Sequence, residues 1–150
     1  LPPPLQLPAG AEPRFTPGAA QLEAVCDLLH DAYWLTDVPR EVVARAHLGS
    51  PAWITARAPD GATVASARAT SDTARVAWIF DVIVRPDWRG RGLGEALVRL
   101  LLDHPVVRGA RLVRLGTRDA QPLYQRMGFV EIAHLAEPFP HSEMALRRTA

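Results

Sequence analysis

The chain has 150 residues, 48% of them apolar, and a formal net charge of +1. That length fits one ordinary domain, the apolar fraction supports a packed core, and the near-neutral charge implies no bulk pull toward nucleic acid or membrane. There is no lysine, which excludes Schiff-base chemistry and a phosphate-binding P-loop, and only one cysteine, Cys26, which excludes a disulfide within the chain.

Residues 1–13 hold five prolines and read as a flexible, extended tail, with 14–150 as a single domain. The opening Leu1-Pro2-Pro3-Pro4 has no charged region followed by an apolar stretch, so no signal peptide is expected there. From Gly18 the spacing of Leu22, Val25, Leu28 and Leu29 predicts a helix with one apolar face, and Cys26 beside it reads as core. Pro39 to Leu48 predicts a second helix with Pro39 near its first turn. Pro51 to Ala58 and Thr63 to Thr70 predict strands joined by the Pro59-Asp60-Gly61 turn. Ala74 to Val84 is nearly all apolar, which predicts a strand covered on both faces. Gly92 to His104 carries Leu93, Ala96, Leu97, Leu100 and Leu101 at helical spacing, and Pro105 stops it. Arg111 to Gly116 predicts another strand. Asp119 to Met127 predicts a short helix with Asp119 as N-cap and Gly128 as the left-handed terminator. Phe129 to Ile132 and Glu143 to Arg147 predict two final strands. The order implies an α/β chain of the α+β type, built on one mixed sheet.

The stretch that carries chemistry runs from Val84 through Arg89-Gly90-Arg91-Gly92-Leu93-Gly94. A strand ends, a turn rich in glycine and arginine follows, and a helix begins. Amides in a helix's first turn have no internal partners and sit at the positive end of its dipole. Glycines let an anion approach them, and flanking arginines add charge-assisted donors. That combination suits a diphosphate. The spacing Gly90, Gly92, Gly94 is not the dinucleotide fingerprint.

The stretch resembles the pyrophosphate loop of the GNAT superfamily of acyl-CoA-dependent N-acetyltransferases, with Arg89, Gly92 and Gly94 in the places that family fills with Arg or Gln, Gly, and Gly or Ala. A second element, Leu123-Tyr124-Gln125-Arg126-Met127-Gly128-Phe129, is similar to the family's Leu-Tyr-three residues-Gly-Phe element. The resemblance covers about Pro51 to Ile132 well. It implies a mostly antiparallel central sheet flanked by helices on both faces. It also implies acetyl-CoA as co-substrate, held by Arg89, Gly90, Arg91, Gly92, Leu93 and Gly94. The pantetheine arm would lie along the strand ending Val82-Ile83-Val84 and pair with its backbone. Thr117 stands where many members carry an Asn that orients either the pantetheine or the following helix.

The resemblance implies direct transfer to an amine. A backbone N–H near Val82 or Ile83 would serve the developing oxyanion. Tyr124 is the implied general acid for the departing thiolate, its phenol being a donor at neutral pH. Asp81, a carboxylate inside an apolar strand, is the candidate base; alternatively backbone amides or an arginine satisfy it and it only shapes the site, or a water relay takes the proton. Trp34 and Asp72 are candidate substrate contacts, against ordinary packing and a hairpin turn respectively. His141 and Glu143 are further residues to test. The five histidines show no metal-ligand spacing, so no metal is expected.

The expected partner is a small-molecule or peptide primary amine, with no nucleic acid and no membrane, and a homodimer is compatible with the resemblance. The lone cysteine suits a reducing cytoplasm, and the all-arginine basic set suits a GC-rich bacterial genome. The alternative is a non-catalytic CoA-binding or sensing module; the retained Tyr124 favours the enzyme.

Overall fold

The computed structural model describes residues 12–14, 19–135 and 143–148. One sheet runs in the order β1 (Glu12–Arg14), β2 (Ala52–Arg57), β3 (Thr63–Ser71), β4 (Val76–Val84) and β5 (Leu112–Arg114). Its first three seams are antiparallel and the β4–β5 seam is parallel. The helices are α1 (Ala19–Leu29), α2 (Arg40–Leu48), α3 (Leu93–Asp103) and α4 (Gln121–Arg126). This is the mixed, mostly antiparallel α/β sheet that was expected. The backbone divides into two compact units, one through Asp119 and one from Ala120. β1 begins inside the segment expected as tail, with Glu12 opposite Arg57 and Pro13 opposite Ala56.

Residues directly opposite in an antiparallel ladder share a face. Ala52, Ile54 and Ala56 stand opposite Ala69, Ala67 and Ala65, and Val84 stands opposite Ala65 in turn. The alanines on this face are fully buried. So flat a surface lets α3 lie close across β2, β3 and β4. Leu93, Leu97 and Leu101 recur along α3 and are buried, so the helix supplies the bulk that the sheet lacks. The other face carries Trp53, Thr55, Ser66 and Arg68. There Val25, Cys26 and Leu29 of α1 join Val43 of α2 and Trp53 in one buried cluster, with Ile83 at its margin. The Trp53 indole is satisfied within it, donating to Ser66 Oγ at 2.8 Å. Cys26 is buried as expected, and burial pushes its thiol pKa up.

Three expectations need correction. β4 is not covered on both faces: Ala77 and Ile79 are buried, but Phe80 on the opposite side is exposed. Apolar residues on two faces signal low polarity, which does not by itself require that both faces be covered. The helix expected from Asp119 takes Ala120 as its N-cap, with no side-chain capping bond. The two final strands do not form. Ile132–His134 is a single 3₁₀ turn, and residues 143–148 have no regular structure. Alternation supplies faces but not partners, and none of the described residues offers these segments a ladder.

Candidate functional site

β4 leaves its last neighbour early. β5 pairs only with Val76, Ala77 and Trp78. From Ile79 to Val84, among the described residues, no strand pairs with β4 on that side. Its amides and carbonyls therefore form an open edge that an extended ligand can join.

The same stretch is bent. Ser66 stands opposite Ile83, and Arg68 opposite Phe80, so β4 carries one more residue than β3 between these pairs. The bulge includes Asp81, which has φ 55°, a left-handed conformation uncommon outside glycine. Its side chain is anchored at both oxygens. Arg68 Nε donates to Oδ2 at 2.7 Å, and Trp34 Nε1 donates to Oδ1 at 2.8 Å. The Arg68 and Asp81 side chains are only 14% and 7% exposed, so this pair is shielded from solvent screening. Arg68 Nη1 also donates to Ser50 Oγ at 3.2 Å, and Ser50 donates on to the Ala46 carbonyl of α2. Asp81 is thus partnered by an arginine and an indole N–H.

His47 is buried beneath this network. Its Nδ1 donates to the Val43 carbonyl at 2.8 Å, and its ring meets Trp53 edge-on, with centroids 4.8 Å apart. Nε2 is buried without a partner. Burial lowers the His47 pKa.

Beyond Val84 the glycine-arginine loop makes one 3₁₀ turn, Pro86–Trp88, and then enters α3. Its arginines build the loop. Arg85 grips the Asp87 carboxylate with two bonds of 2.6 and 2.9 Å, holding that carboxyl below its ordinary range. Arg89 Nε donates to the Val84 carbonyl at 3.1 Å. Arg91 lies over the Trp88 ring, 4.4 Å from its centroid, and donates to the Asp87 carbonyl at 3.3 Å. A guanidinium has five N–H groups, so these bonds do not exhaust Arg89 or Arg91.

Gly90 and Gly92 have φ of 77° and 78°. Gly92 is the N-cap of α3 and provides no side-chain capping bond, so the first-turn amides of Leu93, Gly94 and Glu95 gain nothing from it. A Cβ on Gly90 or Gly92 would meet nothing within 4 Å, and one on Gly94 would only touch Val84 Cγ2 at 3.6 Å. Protein packing therefore demands none of these glycines; conformation demands two, and the space beside them is open. A diphosphate fits such a cradle.

Asp72 sits at the β3–β4 hairpin tip. Its Oδ1 accepts from the amides of Ala74, Arg75 and Val76, which lowers its pKa and makes it the anchor of its turn. Thr117 lies between β5 and α4 and is half-buried. In the second unit, Tyr124 is 8% exposed. The Phe129 amide donates to the Tyr124 carbonyl and the Gly128 amide to the Gln125 carbonyl, with Gly128 at φ 96°. That is a Schellman cap, and its accompanying apolar contact is the Tyr124–Phe129 ring pair, edge to face at 5.9 Å. The spacing of the Leu-Tyr-Gly-Phe element is thus the spacing of a helix terminator. His141 lies outside the described residues; Glu143 is exposed. Among the described residues no group of His, Cys, Asp and Glu could hold a metal.

Sequence reasoning missed Arg68, Ser50 and His47. Arg68 was within reach: it is the one charge in Thr63 to Thr70, and the hairpin register brings it beside the bulge.

Comparison with known proteins agrees with this geometry. A family model described as "Acetyltransferase (GNAT) family" matches residues 22–129. A solved putative acetyltransferase of that family from Xanthomonas campestris pv. campestris is 33% identical, covering 90% of this chain and 96% of that one, with a TM-score of 0.72. An uncharacterized N-acetyltransferase of Methanocaldococcus jannaschii is 40% identical over 60 residues, 37% of this chain and 26% of that protein. Glucosamine 6-phosphate N-acetyltransferase 1 of Oryza sativa subsp. japonica is 43% identical over 58 residues, 38% of this chain and 35% of that protein. The matches to the first three curated relatives span only 26%, 26% and 40% of their lengths.

Proposed function

This chain belongs to the GNAT acetyltransferase family, and from that premise we propose that it moves an acetyl group from acetyl-CoA to a primary amine of a small molecule or peptide. The observation that carries the proposal is the junction of β4 and α3. An open strand edge runs into left-handed Gly90 and Gly92 and an uncapped helix start. The diphosphate would take the amides of Leu93, Gly94 and Glu95, with Arg89 and Arg91 as further donors. The pantetheine arm would extend the sheet along Val82, Ile83 and Val84.

Acetyl-CoA supplies an activated thioester carbonyl. The chain has to orient it, stabilise the oxyanion and manage two protons. The bulge gives the first two tasks a structural basis. A regular ladder points successive amides alternately in and out, whereas an inserted residue re-aims them. A backbone N–H at Val82 or Ile83 thereby becomes the oxyanion donor. We assign Asp81 the holding role: with both oxygens engaged it fixes the bulge, and water takes the proton from the acceptor ammonium so that the neutral amine attacks. Tyr124 is the proposed acid for the departing thiolate. Thr117 offers one hydroxyl toward orienting the pantetheine or α4.

A cytoplasmic location is part of the same proposal and rests on the lone Cys26; no described helix is long and apolar enough to cross a membrane. Titration with CoA in a calorimeter, followed by steady thiol release from acetyl-CoA across an amine panel, tests the function. Binding with amine-dependent release is expected; folded protein with no affinity for CoA refutes it.

A further inference from the structure

Asp81 is where β4 leaves the regular ladder, and two donors from distant parts of the chain converge on it. Its φ of 55° is a conformation that a residue with a Cβ keeps only when its surroundings over-determine it. The β3–β4 register supplies the first donor. Arg68 stands opposite Phe80, the residue before Asp81, so its side chain lies beside the inserted residue. The guanidinium is itself fixed by three contacts: it lies 4.7 Å from the Phe80 ring centroid, Nε donates to Asp81 Oδ2, and Nη1 donates to Ser50 Oγ. Ser50 in turn donates to the Ala46 carbonyl at 2.7 Å, which ties the group to α2. Trp34 supplies the second donor from the Tyr33–Leu35 3₁₀ turn, its Nε1 reaching Oδ1.

Resting on the acetyl-transfer reading above, we propose that Arg68 and Trp34 are positioning residues for the transfer step: acting through the Asp81 carboxylate, they hold the β4 bulge so that the amides of Val82 and Ile83 face the thioester oxygen. Neither side chain is asked to touch the reacting atoms, and no spare donor is called for; the bonds already made are the function. Comparison with the other anchoring aspartate carries the argument. Asp72 secures its turn locally, one oxygen accepting from the amides of Ala74, Arg75 and Val76. Asp81 instead bonds to side chains on two other elements, so its place is set by β3 and the 33–35 turn rather than by β4 itself. The Arg68 and Asp81 side chains are nearly buried, where an ion pair with its remaining groups hydrogen-bonded is stiff and unscreened. Oxyanion donors need such bracing. They are useful only if aimed before the charge develops, and a shift of about 1 Å can cost about 10²-fold in rate.

The test compares Arg68→Met, Trp34→Phe, Asp81→Asn and the double variant Arg68→Met/Asp81→Asn in the full chain. Thermal unfolding, calorimetry with CoA, and steady thiol release from acetyl-CoA with the best acceptor of an amine panel are measured for each. None of the substituted residues is among those proposed to hold the diphosphate, so the Kd for CoA should stay within about twofold of the parent. Turnover should fall about tenfold or more in Arg68→Met and less in Trp34→Phe, with the KM for acetyl-CoA little changed. The double variant supplies a readout that a merely structural arginine would not move. Removing Arg68 alone leaves a buried carboxylate without its cation. Asparagine removes that charge and tolerates the left-handed conformation. The double variant should therefore turn over at least about threefold faster than Arg68→Met, and within about threefold of Asp81→Asn; the second comparison stands even if Arg68→Met fails to fold. The proposal is overturned if Arg68→Met or Trp34→Phe keeps the parent's turnover, if the double variant falls below those limits, or if CoA affinity weakens in step with turnover. A folded parent that binds no CoA, or releases no thiol with any amine, brings down the acetyl-transfer reading and this one with it. An active parent whose variants lose nothing brings down this one alone.

Discussion

Replacing Gly92 with alanine separates the cost of conformation from the cost of a lost ligand site. Gly92 has φ 78°, where a residue with a Cβ is disfavoured by about 1–2 kcal/mol. Alanine also restricts the unfolded chain, which returns about 0.4–1 kcal/mol. The net loss is therefore about 1 kcal/mol, and a chain of this size should lose roughly 2–4 °C in Tm. No neighbour adds to it, because the new Cβ meets nothing within 4 Å. CoA should suffer far more. The methyl group enters the open space beside the first-turn amides, and each bond to a charged acceptor is worth about 1.5–3 kcal/mol. Losing two of them weakens affinity by about 10²–10⁴-fold. Thermal unfolding without ligand and CoA titration by calorimetry read the two effects separately. If the Tm falls as stated while the Kd for CoA stays within about twofold of the parent, the anion-cradle assignment is wrong.

Asp81→Asn keeps an oxygen for one donor but loses the ion pair with Arg68; if the holding role is right, the pH–rate profile keeps its position and turnover falls modestly. A fall of about 10²–10⁴-fold with loss of the acidic limb would instead make Asp81 the base. Tyr124→Phe should lower turnover by about 10²-fold or more with CoA affinity nearly intact, since the ring that packs on Phe129 remains; parent-level turnover removes Tyr124 as the acid. His47 gives a pH dependence of stability. Burial lowers its pKa from 6.5 in the folded state, so below pH 6.5 the unfolded chain takes up a proton that the folded chain resists, and stability falls as pH drops. His47→Asn retains a donor for the Val43 carbonyl; chemical denaturation across pH should show a shallower acid slope for it than for the parent, and equal slopes would contradict this account. Leu97→Ala in the α3 seam should cost about 2–5 kcal/mol by the same assay, because the buried alanine face cannot move in to fill the space.

Local rules were enough wherever the determinant is a neighbour in sequence. The leucine spacing of α3, the Asp60-Gly61 and Asp72 turns and the Gly128 terminator all depend on contacts within a few residues, and each stands where it was read. The Asp119 cap and the two last strands failed for a related reason: a cap depends on backbone angles, and a strand on a partner that may lie anywhere in the chain.

The amino-acid order by itself determined the helix faces, the hairpins and the glycine-arginine entry to α3, since steric limits on φ and ψ and apolar periodicity act over short spans. Only the tertiary structure decided how β4 is used. The extra residue at Asp81, the early departure of β5 after Trp78, and the meeting of Arg68, Trp34 and Asp81 across intervals of 13 and 47 residues exist only once β3, β4 and the Tyr33–Leu35 turn are brought together. Register and charge pairing are properties of two segments at once, and neither segment carries them alone.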